Sequence, residues 1–297
     1  MTVHSKCQPQ KAETELLGDD VQQGLARWNQ ARLAPRLPDP NWREVAEQDW
    51  AKLALERQFI DLLREQVREA AAAAPTEANA FIAWFESLQH DGPGQQDSLF
   101  PWLAESASLE ELRWYLRQEA AGEAGFEDLT AYVQVKLPPR IKLELARNYW
   151  DEMGRGNVKG MHGPMLERLV HSLNLNPVID DTVWESLALA NAMTAMATHR
   201  DYVWQALGAL GVVELTAPAR SAAVASGLKR LGLPAKDRLY FDLHAVLDVK
   251  HSQAWNAEAL IPAVAEDPRR AQAIAEGALI RLSCGARCFE RYRRELW

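Results

Sequence analysis

Length, composition and charge set the outer limits. At 297 residues, with 47% hydrophobic and 25% charged side chains, the chain has the balance of an ordinary globular protein with one large core or two small ones. A net charge of −8 without any long basic run argues against a nucleic-acid partner. The three cysteines, Cys7, Cys284 and Cys288, are odd in number and lack framework spacing, which points to a reducing compartment. No stretch reaches ~18 uninterrupted apolar residues, and Met1–Cys7 has no signal-peptide core, so the expectation is a cytoplasmic protein with no membrane partner.

Residues 1 to about 40 are polar and carry Pro35, Pro38 and Pro40, which reads as a loose arm with one short helix around Val21–Leu33. Apolar residues at threes and fours (Val45, Phe59, Leu63, Val67) predict a helix from Trp42 to Ala74, ended by Pro75. A second helix is predicted from Glu77 to Gln89, before the loop His90-Asp-Gly-Pro-Gly94.

Ser108-Leu-Glu-Glu111 is a capping box that opens a helix expected to continue to about Val135. Glu119 falls on its apolar face with Tyr115, Leu116 and Phe126, and Glu123 follows one turn later. A carboxylate on such a face is costly to bury unless paired or bound to a cation. The plainer alternative is a helix-edge acid turned to solvent.

The next helix, Lys142 to Glu152, runs into Met153-Gly-Arg-Gly-Asn-Val-Lys-Gly-Met-His162. Three glycines in seven residues each cost a helix about 1 kcal/mol relative to alanine. Local unwinding or a π-bulge is therefore expected. On an ideal helix Asp151 faces the way His162 does, and Glu152 lies roughly 80° away. One residue of slack would reverse that order, so periodicity leaves the two acids tied.

A broadly apolar and therefore central helix is predicted from Asp181 to about Glu214, closing against Pro218, followed by a short helix from Ser221 to Leu231. Within Tyr240–His251, His244, Asp248 and His251 fall within roughly 60° on one helical stripe. Helices at Ala257–Glu266 and Pro268–Leu296 complete the chain. Without strand-like alternation or a repeat, the expected fold is all-α: an antiparallel bundle of about seven core helices. Residues 1–75 would form an arm and helical extension packed on a domain spanning 76–297.

Four segments thus offer buried-looking donors: Glu119; Asp151 or Glu152 with His162; Glu214; and the His244, Asp248, His251 stripe. Carboxylates and imidazoles projecting from facing helices are the recipe for a dinuclear iron or manganese site. Leu116-Arg-Gln-Glu119, Asn148-Tyr-Trp-Asp-Glu-Met-Gly-Arg-Gly with His162, Glu214, and His244-x3-Asp248-x2-His251 together resemble the haem-oxygenase-like diiron oxidases and oxygenases. The resemblance covers about residues 100–297. It implies a haem-oxygenase-like bundle holding two Fe ions (Fe2+/Fe3+) with O2 as co-substrate, a peroxo-diiron(III) species, and oxidation of an amino-acid-like or fatty-acid-like small molecule. It also favours Glu152 over Asp151 as ligand, because the family's carboxylate lies ten residues before the histidine.

The ligand set so implied is Glu119, Glu152, His162, Glu214, His244, Asp248 and His251, with no catalytic residue beyond it. Glu123 and Asp151 are candidates to orient a ligand. Arg147 and Arg155, flanking the second-helix ligands, are candidates to meet a substrate carboxylate, or else surface ion pairs. Phosphate loops, nucleophile elbows and Cys-x-x-Cys pairs are absent. His4, His90, His171 and His199 read as surface residues, and Cys284 with Cys288 as small buried hydrophobes. The rivals are a metal-free bundle that binds or hydrolyses a heterocycle, and a non-catalytic interaction protein; iron uptake separates both from the leading reading. Monomer and homodimer are both open.

Overall fold

The computed structural model describes residues 15–297, which are helical with no strand among them. His4 and Cys7 lie outside the described residues. In chain order the α-helices are α1 (Asp19–Leu33), α2 (Trp42–Ala72), α3 (Ala78–Asp91), α4 (Leu99–Glu105), α5 (Leu109–Gly122), α6 (Phe126–Val133) and α7 (Pro139–Glu152). They continue with α8 (His162–Ser172), α9 (Trp184–Thr198), α10 (Val203–Arg230), α11 (Ala235–Trp255), α12 (Ile261–Glu266) and α13 (Arg270–Leu296). The all-α bundle matches expectation.

The bundle is centred on α10, which packs on α11, α13 and α4 and is apolar around most of its circumference. Its approach to α13 is set by two reciprocal glycines. A Cβ on Gly208 would lie 1.9 Å from the Ile274 carbonyl oxygen, and one on Gly277 would lie 1.8 Å from that of Gln205. The two backbones are in contact there, so no side chain fits at either position. Helix α9 is buried on nearly every face between α1, α13 and α6, as its unbroken apolar run requires.

The N-terminal helices lie on this core. Leu25, Phe59, Ile60 and Leu63 are fully buried in one hydrophobic cluster with residues of α9, α10 and α13. The boundary expected at residue 75 falls in the turn between α2 and α3, and the cluster runs across it. Polar contacts tie the same interface: Asn191 Nδ2 donates to the Gln22 backbone carbonyl (2.9 Å), and Asn29 Nδ2 to Asn191 Oδ1 (3.0 Å).

His199 corrects the expectation of a surface residue. It is buried, with Nε2 2.6 Å from Glu56 Oε2, and Arg32 pairs with the other Glu56 oxygen at 3.0 Å. The pairing partner lies 143 residues away, so local polarity carried no trace of it. His90 and His171 are exposed as expected, and Cys284 and Cys288 are buried free thiols.

Further differences from expectation bear on the site. The helix opened by Ser108 does have its capping box, but it stops at Gly122, and Gly125 (φ +74°) starts a new one, α6. The run from Asp181 to Glu214 is two helices, broken at His199–Tyr202 where His199 reaches for Glu56. Helix α10 continues through Pro218 to Arg230, because the surrounding packing outweighs one missing backbone hydrogen bond. The glycine-rich stretch before His162 unwinds into 3-10 turns, the first of the two forms expected of it, and the π-helix lies instead at Asn256–Leu260. Helix α4 was not anticipated, its run being too short to show a period.

Candidate metal centre

Four helices bring acids and imidazoles together in the bundle interior. Glu152 is the last residue of α7 and His162 the first of α8. Between them the chain makes a pinched loop of two single 3-10 turns, Gly154–Gly156 and Val158–Gly160, closed by an antiparallel bridge between Met153 and Met161. Gly154 (φ +59°) packs directly on Gly160, where a Cβ would lie 2.3 Å from the carbonyl carbon. Glycine is needed for both the conformation and the contact. Closing the loop puts Glu152 Oε2 2.6 Å from His162 Nδ1.

Opposite stand Glu214 in mid-α10 and the α11 stripe. Two donor groups, each within 4.8 Å, share Glu152: one adds His162 and His244, the other Glu214 and His251. Asp248 is buried and lines the same cavity, and its ionisation is opposed by burial and then by Glu214 and Glu152.

Neighbouring groups orient these donors. Asp151 Oδ2 lies 3.2 Å from His251 Nε2, so the other ring nitrogen, Nδ1, faces Glu214 Oε2 at 3.4 Å. His244 Nδ1 bonds the Tyr240 carbonyl at 2.6 Å, which turns Nε2 inward, and the His244 ring stands 4.6 Å from that of His162. Asn148 Nδ2 donates to Glu214 Oε1. Asp151 and Glu152 therefore face different partners, the separation that periodicity could not make.

The donors fit a cation. His162 Nδ1, His251 Nδ1 and Asp248 Oδ1 are buried and accept or donate no hydrogen bond. The 2.6 Å approach of Glu152 to His162 is not hydrogen-bond geometry either, so both atoms point at common space. Burial, followed by repulsion from Glu214, pushes the Glu152 carboxyl up to about 9. Burial and then His251 push His162 down to about 4. For His251, burial acts downward, but Glu214 and Asp151 outweigh it and raise it to about 9. A cluster of buried acids that resists ionisation, with the neutral imidazoles of His162 and His244 and a proton held on His251, is relieved when a bound cation takes the place of the protons.

The remaining expected site residues lie outside the two donor groups, with Glu119 and Glu123 lining the same cavity. Glu119 is not in either donor group; its Oε1 accepts from the Tyr292 hydroxyl at 2.9 Å on another wall of the cavity. Glu123 caps the helix break, accepting from the Gly125 and Phe126 amides. Arg147 is exposed and paired with Glu144, and Arg155 is exposed and paired with Asp151 at 2.6 Å. Neither lines the cavity.

The acid beside Glu152 and His162 from this side is Glu127, in the first turn of α6. Its Oε1 would lie 3.0 Å from a Cβ on Gly163, the residue after His162. Sequence reading missed it because one continuous helix was assumed. Gly122 and Gly125, four residues wide, were the available signal of a break.

The donors open onto a cavity of about 170 Å3 with mainly apolar walls, among them Leu116, Leu169, Phe241 and Phe289. An all-α bundle that gathers histidines and carboxylates from facing helices beside such a cavity offers a donor set suited to a metal ion. A sequence model of iron-containing redox enzymes matches residues 113–286, and the chain belongs to that family.

Two crystal structures of a CADD-like protein of unknown function from Nostoc punctiforme share the fold. One has a TM-score of 0.58 at 16% identity, covering 74% of this chain and 98% of that one. The other has a TM-score of 0.54 at 17% identity, covering 74% and 95%. No curated protein matches the chain. No helix among the described residues is long and apolar enough to cross a membrane.

Proposed function

We propose that the protein is an O2-dependent, non-haem diiron oxidoreductase acting on a small organic substrate in the apolar cavity. The metal-holding residues in this reading are Glu152, His162, Glu214, His244, Asp248 and His251, with Glu127 the acid next to them. The supporting observation is the pair of overlapping donor groups that share Glu152, with unsatisfied ring nitrogens and a carboxylate oxygen buried among them. Two adjacent cations require such overlap, whereas one structural ion is satisfied by a single closed set.

Iron bound there would supply O2 activation and redox equivalents for substrate oxidation. The chain's own residues prepare that chemistry. Asp151 holds the His251 Nε2 proton and the Tyr240 carbonyl holds the His244 Nδ1 proton, which fixes each imidazole in the tautomer whose other nitrogen faces the centre. Asn148 holds one oxygen of Glu214 and leaves the second toward His251. The apolar walls exclude bulk water from the reacting space.

Anaerobic titration with Fe2+, followed by O2 exposure, tests the reading. Uptake near two irons per chain and O2 consumption that depends on that iron are expected. His244→Ala and His251→Ala should each lower the uptake. No uptake by the wild-type protein, or uptake unchanged in both variants, would refute it.

A further inference from the structure

Away from the donor cluster the cavity has a second polar wall, formed by Arg220 of α10 and Arg281 of α13. Neither guanidinium forms an ion pair among the described residues. Arg220 is tethered to its own helix, with Nε and Nη2 donating to the Thr216 carbonyl and hydroxyl (3.2 and 2.5 Å). Its guanidinium carbon sits 5.7 Å from the centre of the Phe289 ring. Arg281 Nη1 is buried and has no hydrogen-bond partner.

The nearby acids hydrogen-bond other groups, Glu119 with Tyr292 and Glu123 with two backbone amides, and reach the guanidiniums only through space, Glu119 toward Arg220 and Glu123 toward Arg281. Burial and then the neighbouring Arg281 push Arg220 down to about 10, with Glu119 acting the other way. Two half-buried guanidiniums with free donors recognise an anion through paired hydrogen bonds. Glu119 and Glu123 beside them would repel a dianion, so a singly charged carboxylate fits better than a phosphate.

We propose that Arg220 and Arg281 anchor a carboxylate of the substrate. Its apolar body then lies along Leu116, Phe241 and Phe289, and its far end reaches the Glu152–His162–His244 cluster. The head group is thereby held away from the donor cluster, not on it. This rests on the reading of the cavity as the substrate pocket of the metal centre.

The test uses octanoate and its neutral counterpart octanamide, with affinities read by calorimetry on the full chain, both metal-free and anaerobically iron-loaded. Octanoate should bind at least tenfold more tightly than octanamide in both forms. That preference should vanish in Arg281→Gln and Arg220→Gln and persist in part in Arg281→Lys, all with wild-type iron content and circular dichroism. Absence of any acid preference overturns the proposal, as does a preference that Arg281→Gln and Arg281→Lys both leave unchanged. A preference lost on iron removal but indifferent to both glutamine variants overturns it too, because it places the carboxylate on the metal. If iron uptake fails while the arginine-dependent preference holds, the anchoring site stands and the diiron reading falls.

Discussion

At the scale of single residues, Asp151 shows how one carboxylate differs from its neighbour. It sits beside Glu152 in sequence, yet its contacts are Arg155 and the outward nitrogen of His251. Asp151→Asn keeps the size of the group but removes the charge that steadies the imidazole. Iron affinity is expected to fall about 10- to 100-fold with little change in fold, measurable as iron retained per chain against a graded chelator. Retention equal to wild type would remove Asp151 from the ligand-holding role.

The same residues predict a pH dependence for the metal-stripped protein. Glu152 and His251 have folded-state values of about 9, above their ordinary values of 4.5 and 6.5. The native state therefore holds more protons than the unfolded chain up to about pH 9, and stability falls as pH rises through that range. His162 acts in the opposite sense, but only between about 4 and 6.5. From pH 6.5 to 9 these contributions share one sign, so Tm of the stripped protein should drop. Iron should flatten the slope by taking the place of the protons, and Glu152→Gln should reduce it without iron. A Tm that stays level or climbs across this range in the stripped protein would contradict the charge arrangement.

At the scale of elements, the loop between α7 and α8 converts a ten-residue spacing into a 2.6 Å contact. Gly154→Ala places a side chain in the left-handed region and against the Gly160 backbone. A loss of ~1–3 kcal/mol in denaturant unfolding is expected, together with reduced iron content, since Glu152 and His162 would separate. Loss of stability with full iron content would show that the pinch serves the fold alone. The break between α5 and α6 is the second decisive element. By ending a helix at Gly122 it leaves Glu119 with Tyr292 and swings Glu127 toward His162.

At the scale of the whole molecule, the N-terminal helices share the core that supports the site, and Glu56 is the polar hinge of that contact, fully buried between His199 and Arg32. Glu56→Ala removes one partner of a buried pair and strands the others, which costs about 3 kcal/mol or more. Thermal unfolding should show a single transition at lower temperature. A separate early transition of the N-terminal helices would indicate that they fold as their own unit.

The all-α class, most helix bodies and the gathering of Glu152, His162, Glu214, His244 and His251 as candidate donors were legible in the chain because they rest on local periodicity and residue chemistry. His244, Asp248 and His251 share a stripe on any regular helix, and the glycines after Glu152 announce that regular helix stops there. What local pattern could not carry was the set of partners across the core: Glu56 for His199, Asp151 for His251, Tyr292 for Glu119, and Glu127 beside His162. Each depends on where a helix breaks and which face it then presents to an element far away in sequence. A one-residue change of register there turns a side chain by about 100°. Local pattern tells which groups the chain owns; long-range packing tells which of them meet.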